Sequence, residues 1–393
     1  MRFVLTEEQQ LFSDSARRFL QARAPVAALR KLRDAHDPDG FDRGLWSELA
    51  GMGWPGLLIP EEHGGVGFGH AGAGLIAEET GRTLTASPLL STAVLGVAAL
   101  VQGASERRRA ELLPAIAAGE LLMALAVDER PRHAPHEIAT RALATATGFR
   151  LTGQKTFVLD GHVAEWLIVA ARVVAGGRAD GGHADGRHAD GGHADTIGLF
   201  LVNRRAPGLS IERTVLVDSR LAADLRLHDV EVSRADLLDA AGAGGELLDS
   251  ILDAGRAVLA AELVGIASES LDRTLDYLRQ REQFGRKVGE FQALQHRAAH
   301  LYCEIELARS ATNAALRALD ARGTDTALLV SVAKAKAGDA ARLATNEALQ
   351  MHGGIGMTDE FEIGFFMKRA RVAAETFGDS GFHGDRLARL YGF

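Results

Sequence analysis

The chain has 393 residues, 47% of them hydrophobic and 24% charged, with a formal net charge of -8. This composition excludes general disorder and supplies apolar mass for two or three packed units, while the acidic balance excludes the broad basic surface that holds nucleic-acid phosphates. A single cysteine, Cys303, allows no intrachain disulfide and points to a reducing cytoplasm.

The N-terminal segment Met1-Arg2-Phe3-Val4-Leu5-Thr6-Glu7-Glu8 meets acidic charge before any apolar run long enough for export, so no signal peptide is expected. Thr6 and Gln9 then form a capping-box pattern, and Leu11, Ala16, Phe19 and Leu20 recur near helical spacing. The cluster Gly64-Gly65-Val66-Gly67-Phe68-Gly69 follows Pro60-Glu61-Glu62-His63 rather than a buried strand, so it reads as a loop between helices and not as a dinucleotide fingerprint. Helices are expected over 71–80 and from Ser91, and Ser105 is placed to cap another running through Arg109 to Ala118. Residues 88–101 are the most apolar run, but Ser91 and Thr92 interrupt it and it is too short to span a bilayer. An N-terminal helical domain over 1–119 follows.

From residue 120 the pattern changes. Residues 121–127, 149–151, 155–159, 166–173, 197–202, 210–213, 225–227 and 230–232 are short β-branched or alternating runs separated by turn residues, which predicts an all-β domain over 120–240. Within it, residues 176–196 repeat units such as Gly-Gly-His-Ala-Asp with a five-residue step. Gly-rich, aromatic-free sequence buries too little apolar area to offset chain entropy, so a flexible loop between two strands is expected. His183, His188 and His193 are potential metal ligands, but a floppy loop fixes no coordination geometry and no metal site is expected.

Helical patterning resumes over 241–393. Leu294, Ala298, Leu301, Ile305, Ala308, Thr312, Ala315 and Leu319 alternate steps of four and three, a heptad stripe that keeps one helix face against a partner. Further helices are expected over 246–279, from Thr324 or Asp325 to Gln350, and after Thr358, which together predict a four-helix bundle. The fold class is α+β: a helical domain, a middle β-barrel or sandwich, then the bundle.

Three motifs carry chemistry: Arg281-Glu282-Gln283-Phe284-Gly285, Phe291-Gln292-Ala293-Leu294 and Gln350-Met351-His352-Gly353-Gly354-Ile355-Gly356. Consecutive glycines after a helix permit left-handed backbone and close approach of a ligand to main-chain N–H groups, though a plain C-cap is the bland alternative. Arg281 offers a forked cation suited to phosphate oxygens; a surface charge is its bland reading.

In this order and spacing the motifs resemble the acyl-CoA dehydrogenase flavoproteins, and the resemblance covers nearly the whole chain. It implies FAD as cofactor, an acyl-CoA or other acyl thioester as substrate, an electron-transfer acceptor, and a homo- or hetero-oligomer, typically a dimer of dimers. Nucleic acid and membrane are not implied partners. By resemblance, Arg281, Phe284 and Gln292 reach FAD bound mainly to a neighbouring subunit, while Gln350, Met351, His352, Gly353 and Gly354 run along the flavin pyrophosphate. Residues 151–158 resemble the strand that stacks on the isoalloxazine, placing Thr156 and Phe157 at the ring, with phenylalanine where the family has tryptophan.

Two departures bear on catalysis. Where the family has Thr-Glu-Pro followed by Gly-Ser-Asp, this chain has Val127-Asp128-Glu129-Arg130-Pro131-Arg132-His133. Where most members carry a glutamate base in Tyr-Glu-Gly-Thr, it reads Thr376-Phe377-Gly378-Asp379, and phenylalanine accepts no proton. The alternative base position, before the family arginine matched by Arg256, holds Gly255. Glu262 shares an apolar helix face with Leu248, Leu252, Leu259 and Ile266, where a carboxylate is costly unless paired. An arginine partner is therefore favoured over a catalytic role for Glu262. The Phe377-Gly378-Asp379 and His383-Gly384-Asp385-Arg386 segments resemble a subgroup that pairs with a base-bearing second chain in heteromeric enzymes acting on bulky acyl-CoA esters. Two functions are thus expected: FAD-dependent α,β-dehydrogenation of an acyl thioester, or a non-catalytic FAD-binding and stabilising subunit of such an enzyme.

Overall fold

A computed structural model describes residues 5–174, 196–238 and 243–393. Helices α1 (Glu7–Arg23), α2 (Val26–Asp34), α3 (Arg43–Gly51), α4 (Gly69–Thr83), α5 (Val97–Gly103) and α6 (Glu106–Ala117) form the first layer, with a π-helical segment at Leu89–Gly96. Thr6 Oγ1 accepts from the Gln9 N–H at 3.2 Å and the Gln9 side chain accepts from the Thr6 N–H, so the capping box is formed. Ser105 likewise caps α6 through the Arg108 N–H.

The middle layer is a mixed sheet of β1 (Met123–Ala126), β2 (Arg141–Ala144), β3 (Gly148–Leu159), β4 (Trp166–Val174), β5 (Ile197–Asn203), β6 (Leu209–Val215), β7 (Leu221–Ser233) and β8 (Leu237–Leu238). Its path is β6-β7-β3-β2-β4-β5-β8, and β1 and β2 both run parallel to β4, β1 along its first half and β2 along its second. Side chains alternate across a strand. Leu167 and Val169 join Phe200 and Val202 in one apolar cluster, whereas Ile168 and Ala170 join Leu199 and Leu201 in the core shared with the helices. Burial on both faces explains why β4 and β5 read as continuous apolar runs.

Two expectations need correction here. The runs at 149–151 and 155–159 are one strand, as are those at 225–227 and 230–232: the β3–β7 register shifts at His228–Asp229 of β7, opposite Thr152, and again at Thr156–Phe157 of β3, so bulges rather than turns interrupt the pairing. The short strands β2 and β8 and the helices α2 and α3 carried too little periodicity to be read. The expectation for residues 176–196 lies, except for Thr196, outside the described residues.

The last layer comprises α7 (Gly244–Gln280), the small hairpin β9 (Glu282–Gln283) and β10 (Arg286–Lys287), α8 (Gln292–Ala321), α9 (Thr326–His352), α10 (Ile363–Glu375) and α11 (Ser380–Leu390). The single helix expected after Thr358 is two helices, since Phe377 and Gly378 take φ of 59° and 105° and Asp379 caps α11 through the Phe382 N–H at 2.7 Å. On the α8 stripe Leu301, Ile305, Ala308, Thr312 and Ala315 are buried. Helix α7 is apolar nearly all round and sits at the centre, packed on α4, α8, α9 and α10. It approaches α4 backbone to backbone: a Cβ on Gly265 would lie 1.9 Å from the Glu78 carbonyl oxygen, and one on Gly81 2.2 Å from that of Glu262. Among the described residues no helix is long and apolar enough to cross a membrane.

Candidate functional site

A crevice forms where the three layers meet. Ser91 and Leu95 of the π-helix, Val127 and Asp128 after β1, Thr156 and Phe157 of β3, and Phe377 between α10 and α11 line it. The β3 bulge produces the exposed aromatic. Phe157 adopts φ of 53°, a conformation that costs a non-glycine residue energy, and the residue remains 46% exposed. Thr156 Oγ1 donates to Asp224 at 2.7 Å, the Phe157 N–H donates to the same carboxylate at 3.3 Å, and the Thr156 N–H donates to the Asp128 carbonyl at 2.8 Å. The bulge is therefore pinned from both sides.

Phe377 and Gly255, the two positions matched by resemblance to a base, lie together. Phe377 is buried, and a Cβ on Gly255 would meet its Cε2 at 3.4 Å and Leu95 Cδ2 at 2.6 Å. The turn carrying Phe377 is held by two buried cations: Arg256 Nε donates to the Phe377 carbonyl at 3.1 Å, and Lys334 Nζ donates to the carbonyls of Ala374 and Gly378 at 2.8 and 3.0 Å. Burial, reinforced by Arg256, pushes Lys334 down to about 7.

Arg256 also donates to Asp253 at 2.9 Å and meets His133 Nε2 at 3.2 Å. A guanidinium only donates, so His133 Nε2 is the acceptor and Nδ1–H donates to Asp128 at 2.9 Å. Arg386 completes the cluster with a forked pair to Asp253 at 2.7 and 2.8 Å. His383 is fully buried beside these groups with neither ring nitrogen partnered; burial first, then Arg256, Lys334 and Arg386, pushes it down to about 2. On their other side His133, Arg256 and Arg386 border a wide polar cleft with Arg130, Arg132 and Arg389. Sequence reasoning missed Lys334, Asp253 and the Asp128–His133 pair. Lys334 left a signal, a lone cation among Val330, Ala333, Ala337 and Ala341, all buried on α9.

Glu262 lies away from Phe377. Arg369 grips it with Nε and Nη2 at 2.7 and 2.9 Å, and Arg220 Nη2 adds 3.0 Å, so the arginine pairing of this buried carboxylate is present. Burial acts to raise its pKa, but the two arginines outweigh burial and hold it below the usual range.

The remaining predicted residues gather on a separate face. At the end of α7 the β9–β10 hairpin presents Arg281 and Phe284, and Gln292 opens α8. Phe284 is 91% exposed. Facing them, α9 ends in exposed Gln350, buried Met351 and His352, then exposed Gly353 and Gly354. Tyr277 ties the two parts together: its hydroxyl donates to the His352 carbonyl at 3.3 Å and its ring lies 4.5 Å from the imidazole. Three observations fit a bound pyrophosphate. Arg281 makes no ion pair among the described residues, His352 Nε2 is buried without a partner, and a Cβ on Gly353 or Gly354 would meet nothing within 4 Å. Thr156 and Phe157 border the crevice and not this face, so the ten predicted cofactor positions divide between two places.

Comparison with known proteins accords with this geometry. The N-terminal and C-terminal domain models of acyl-CoA dehydrogenase match residues 6–120 and 242–391. Cyclohex-1-ene-1-carbonyl-CoA dehydrogenase of Syntrophus aciditrophicus is 28% identical over 94% of this chain and 86% of its own. A variant of the Tcur3481-Tcur3483 steroid ACAD is 31% identical with a TM-score of 0.85, covering 98% of each chain. Butyryl-CoA dehydrogenase from Megasphaera elsdenii is 25% identical with a TM-score of 0.85 over the full length of both chains. In the ChsE4-ChsE5 complex from Mycobacterium tuberculosis, at 24% identity, the fold is the same with a TM-score of 0.87 over the full length of both chains. With family models matched over residues 6–120 and 242–391 and a solved structure 31% identical over 98% of this chain, the chain belongs to the acyl-CoA dehydrogenase family.

Proposed function

We propose that this chain is an FAD-binding subunit that handles an acyl thioester, has no base of its own at the family positions, and works beside a base-bearing second chain. The observation that carries this reading is the packing of Phe377 against Gly255, which fills both positions with hydrocarbon and hydrogen. α,β-Dehydrogenation needs a proton acceptor at the α-carbon and a hydride acceptor at the β-carbon, held on opposite sides of the substrate. Bound FAD would supply the hydride acceptor. Arg281, His352 and the Gly353-Gly354 backbone would hold its pyrophosphate, and the Thr156–Phe157 bulge would border its ring. Arg130, Arg132 and Arg389 in the polar cleft suit the phosphates of a CoA thioester. Exposed Phe284, Ile355 and Met357 near the phosphate face support an oligomer, and two of the similar structures bear names that join two chains. An exposed free thiol at Cys303 accords with a cytoplasmic location.

The test is anaerobic flavin bleaching by octanoyl-CoA. The FAD-loaded chain alone should bleach about two to four orders of magnitude more slowly than a base-bearing relative, the share that general-base help supplies. Rapid bleaching by the wild type sinks the closed-base reading.

One observation favours a second reading, an active dehydrogenase: the Asp128 carboxylate lines the same crevice as Phe157 and Phe377. Under that reading the wild type bleaches rapidly and Asp128→Asn slows it at least about a hundredfold.

A further inference from the structure

The loop that carries Gly353 and Gly354 is tied to the N-terminal helical layer. Residues 353–362 join α9 to α10, and Met357, Thr358, Asp359 and Glu360 at its apex are exposed. Helix α2 reaches this apex from the far end of the chain, Arg30 lying 329 positions before Asp359. Arg33 forks onto Asp359, Nη1 and Nη2 donating to its two carboxylate oxygens at 2.6 and 2.8 Å. Arg30 adds a bond from Nη1 to the same carboxylate at 3.1 Å and one from Nη2 to the Glu360 carbonyl at 3.3 Å.

A lone exposed ion pair contributes little, because two long side chains must be ordered to make it. Here the arginines are placed in advance. Arg33 Nε donates to Asp34 at 2.8 Å, and both guanidinium groups lie over the Phe365 ring, 4.8 and 4.9 Å from its centre. Arg30 and Arg33 stand three residues apart on α2, on one face. Forked pairing of a carboxylate with a guanidinium already held in place is the geometry in which a surface pair does contribute.

The glycine pair needs such a hold. Gly353 takes φ of 64°, and a Cβ on Gly353 or Gly354 would meet nothing within 4 Å, so no side-chain packing fixes these two residues. Glycine also leaves its own backbone free. Their course is therefore set from the flanks. On one side the Tyr277 hydroxyl donates to the His352 carbonyl at 3.3 Å. On the other, Gly356 lies so close to α9 that a Cβ would come 3.0 Å from the Leu349 carbonyl oxygen, and three residues further on α2 grips Asp359.

We propose that Asp359, gripped by Arg30 and Arg33, is a positioning residue for the main-chain N–H groups of the Gly353-Gly354 segment, so that a helix of the N-terminal layer sets how tightly the flavin pyrophosphate is held. This rests on the FAD reading above. Asp359 itself touches no phosphate. Its release lets the loop take other courses, and binding must then order the loop again.

The test titrates the full chain with FAD, read by fluorescence quenching, with the visible spectrum recorded at saturation. Asp359→Asn should weaken FAD by about five- to thirtyfold, the cost of ordering one residue's backbone. The spectrum of the saturated variant should match the wild type, because the ring is bordered by the Thr156–Phe157 bulge and not by this loop. Arg30→Met combined with Arg33→Met should weaken FAD by a similar factor, and Asp359→Asn added to that pair should weaken it no further, since all three act through one contact. The arginine pair decides the matter if the Asp359 variant fails to fold. A wild type that binds FAD with Asp359→Asn binding it equally tightly overturns this proposal alone, as does a loss of affinity accompanied by an altered flavin spectrum. A wild type that binds no FAD overturns the flavin reading and this proposal together.

Discussion

Gly255 and Phe377 pack together, on a helix and a turn 122 positions apart in the chain: a Cβ at 255 would touch Phe377 Cε2 at 3.4 Å and would press on Leu95 Cδ2 at 2.6 Å. Phe377 also holds a left-handed φ of 59° to reach that place. Under the proposed function, the missing base is thus a packing arrangement as well as a substitution. Gly255→Glu alone should destabilise the protein by about 1–3 kcal/mol through overpacking. Phe377→Gly alone should cost about 3–5 kcal/mol for the lost ring, less what relief of the backbone returns. Their combination should cost less than the sum, with a coupling of about 0.5–3 kcal/mol in a denaturant double-mutant cycle. Strict additivity would show that the two sites do not sense each other.

Arg281→Ala should leave the melting temperature nearly unchanged, because the guanidinium makes no ion pair among the described residues. FAD affinity should fall about tenfold to a hundredfold, matching the loss of a charge-assisted phosphate contact of roughly 1.5–3 kcal/mol. Fluorescence titration of the apoprotein with FAD checks both halves; unchanged affinity would remove Arg281 from the cofactor site.

His383 should make the fold acid-sensitive. Its imidazole is pushed down to about 2 in the native state, so below the unfolded value near 6.5 the unfolded chain binds a proton that the folded chain refuses. Stability from this residue is intact above about 6.5 and falls by about 1.4 kcal/mol per pH unit below it. Between pH 7.5 and 5.5 the wild type should therefore lose about 1.4 kcal/mol more than His383→Leu. Identical pH profiles would place a hydrogen-bond partner or solvent at the ring.

Removing Arg369 leaves two carboxylates, Glu262 and Asp218, without their shared buried partner. Arg369→Met should cost about 3–5 kcal/mol, the usual penalty for an uncompensated buried charge. Adding Glu262→Gln in that background should recover part of the loss, since one of the two stranded anions is then gone. Chemical denaturation of the single and double variants reads this directly; a double variant weaker than the single would contradict the pairing.

Local patterning was enough for several features. The capping box at Thr6 and Gln9, the α8 stripe, and the glycine pair after α9 depend on residues within a turn or two of each other, and periodicity and backbone freedom report such neighbourhoods. The family motifs were legible for the same reason, each being a short run at the end of a helix. Thr152-Gly153-Gln154 carries the composition of a turn, and only pairing with β7, which bulges opposite it at His228–Asp229, determines that the strand continues.

The site itself was decided by the tertiary structure. Glu262 finds its arginines 42 and 107 positions away, and Arg256 meets His133 and the Phe377 carbonyl across 123 and 121 positions. No local pattern encodes such partners, because a buried charge specifies only that something must neutralise it and not which element brings the counter-ion. By itself the sequence determined a layered helical and β chain carrying the short motifs that resemble the acyl-CoA dehydrogenase flavoproteins, with phenylalanine at 377 and glycine at 255. Folding decided that Phe377 packs beside Gly255, that Arg256 and Lys334 hold the Phe377 turn, and that Glu262 is clamped by arginines.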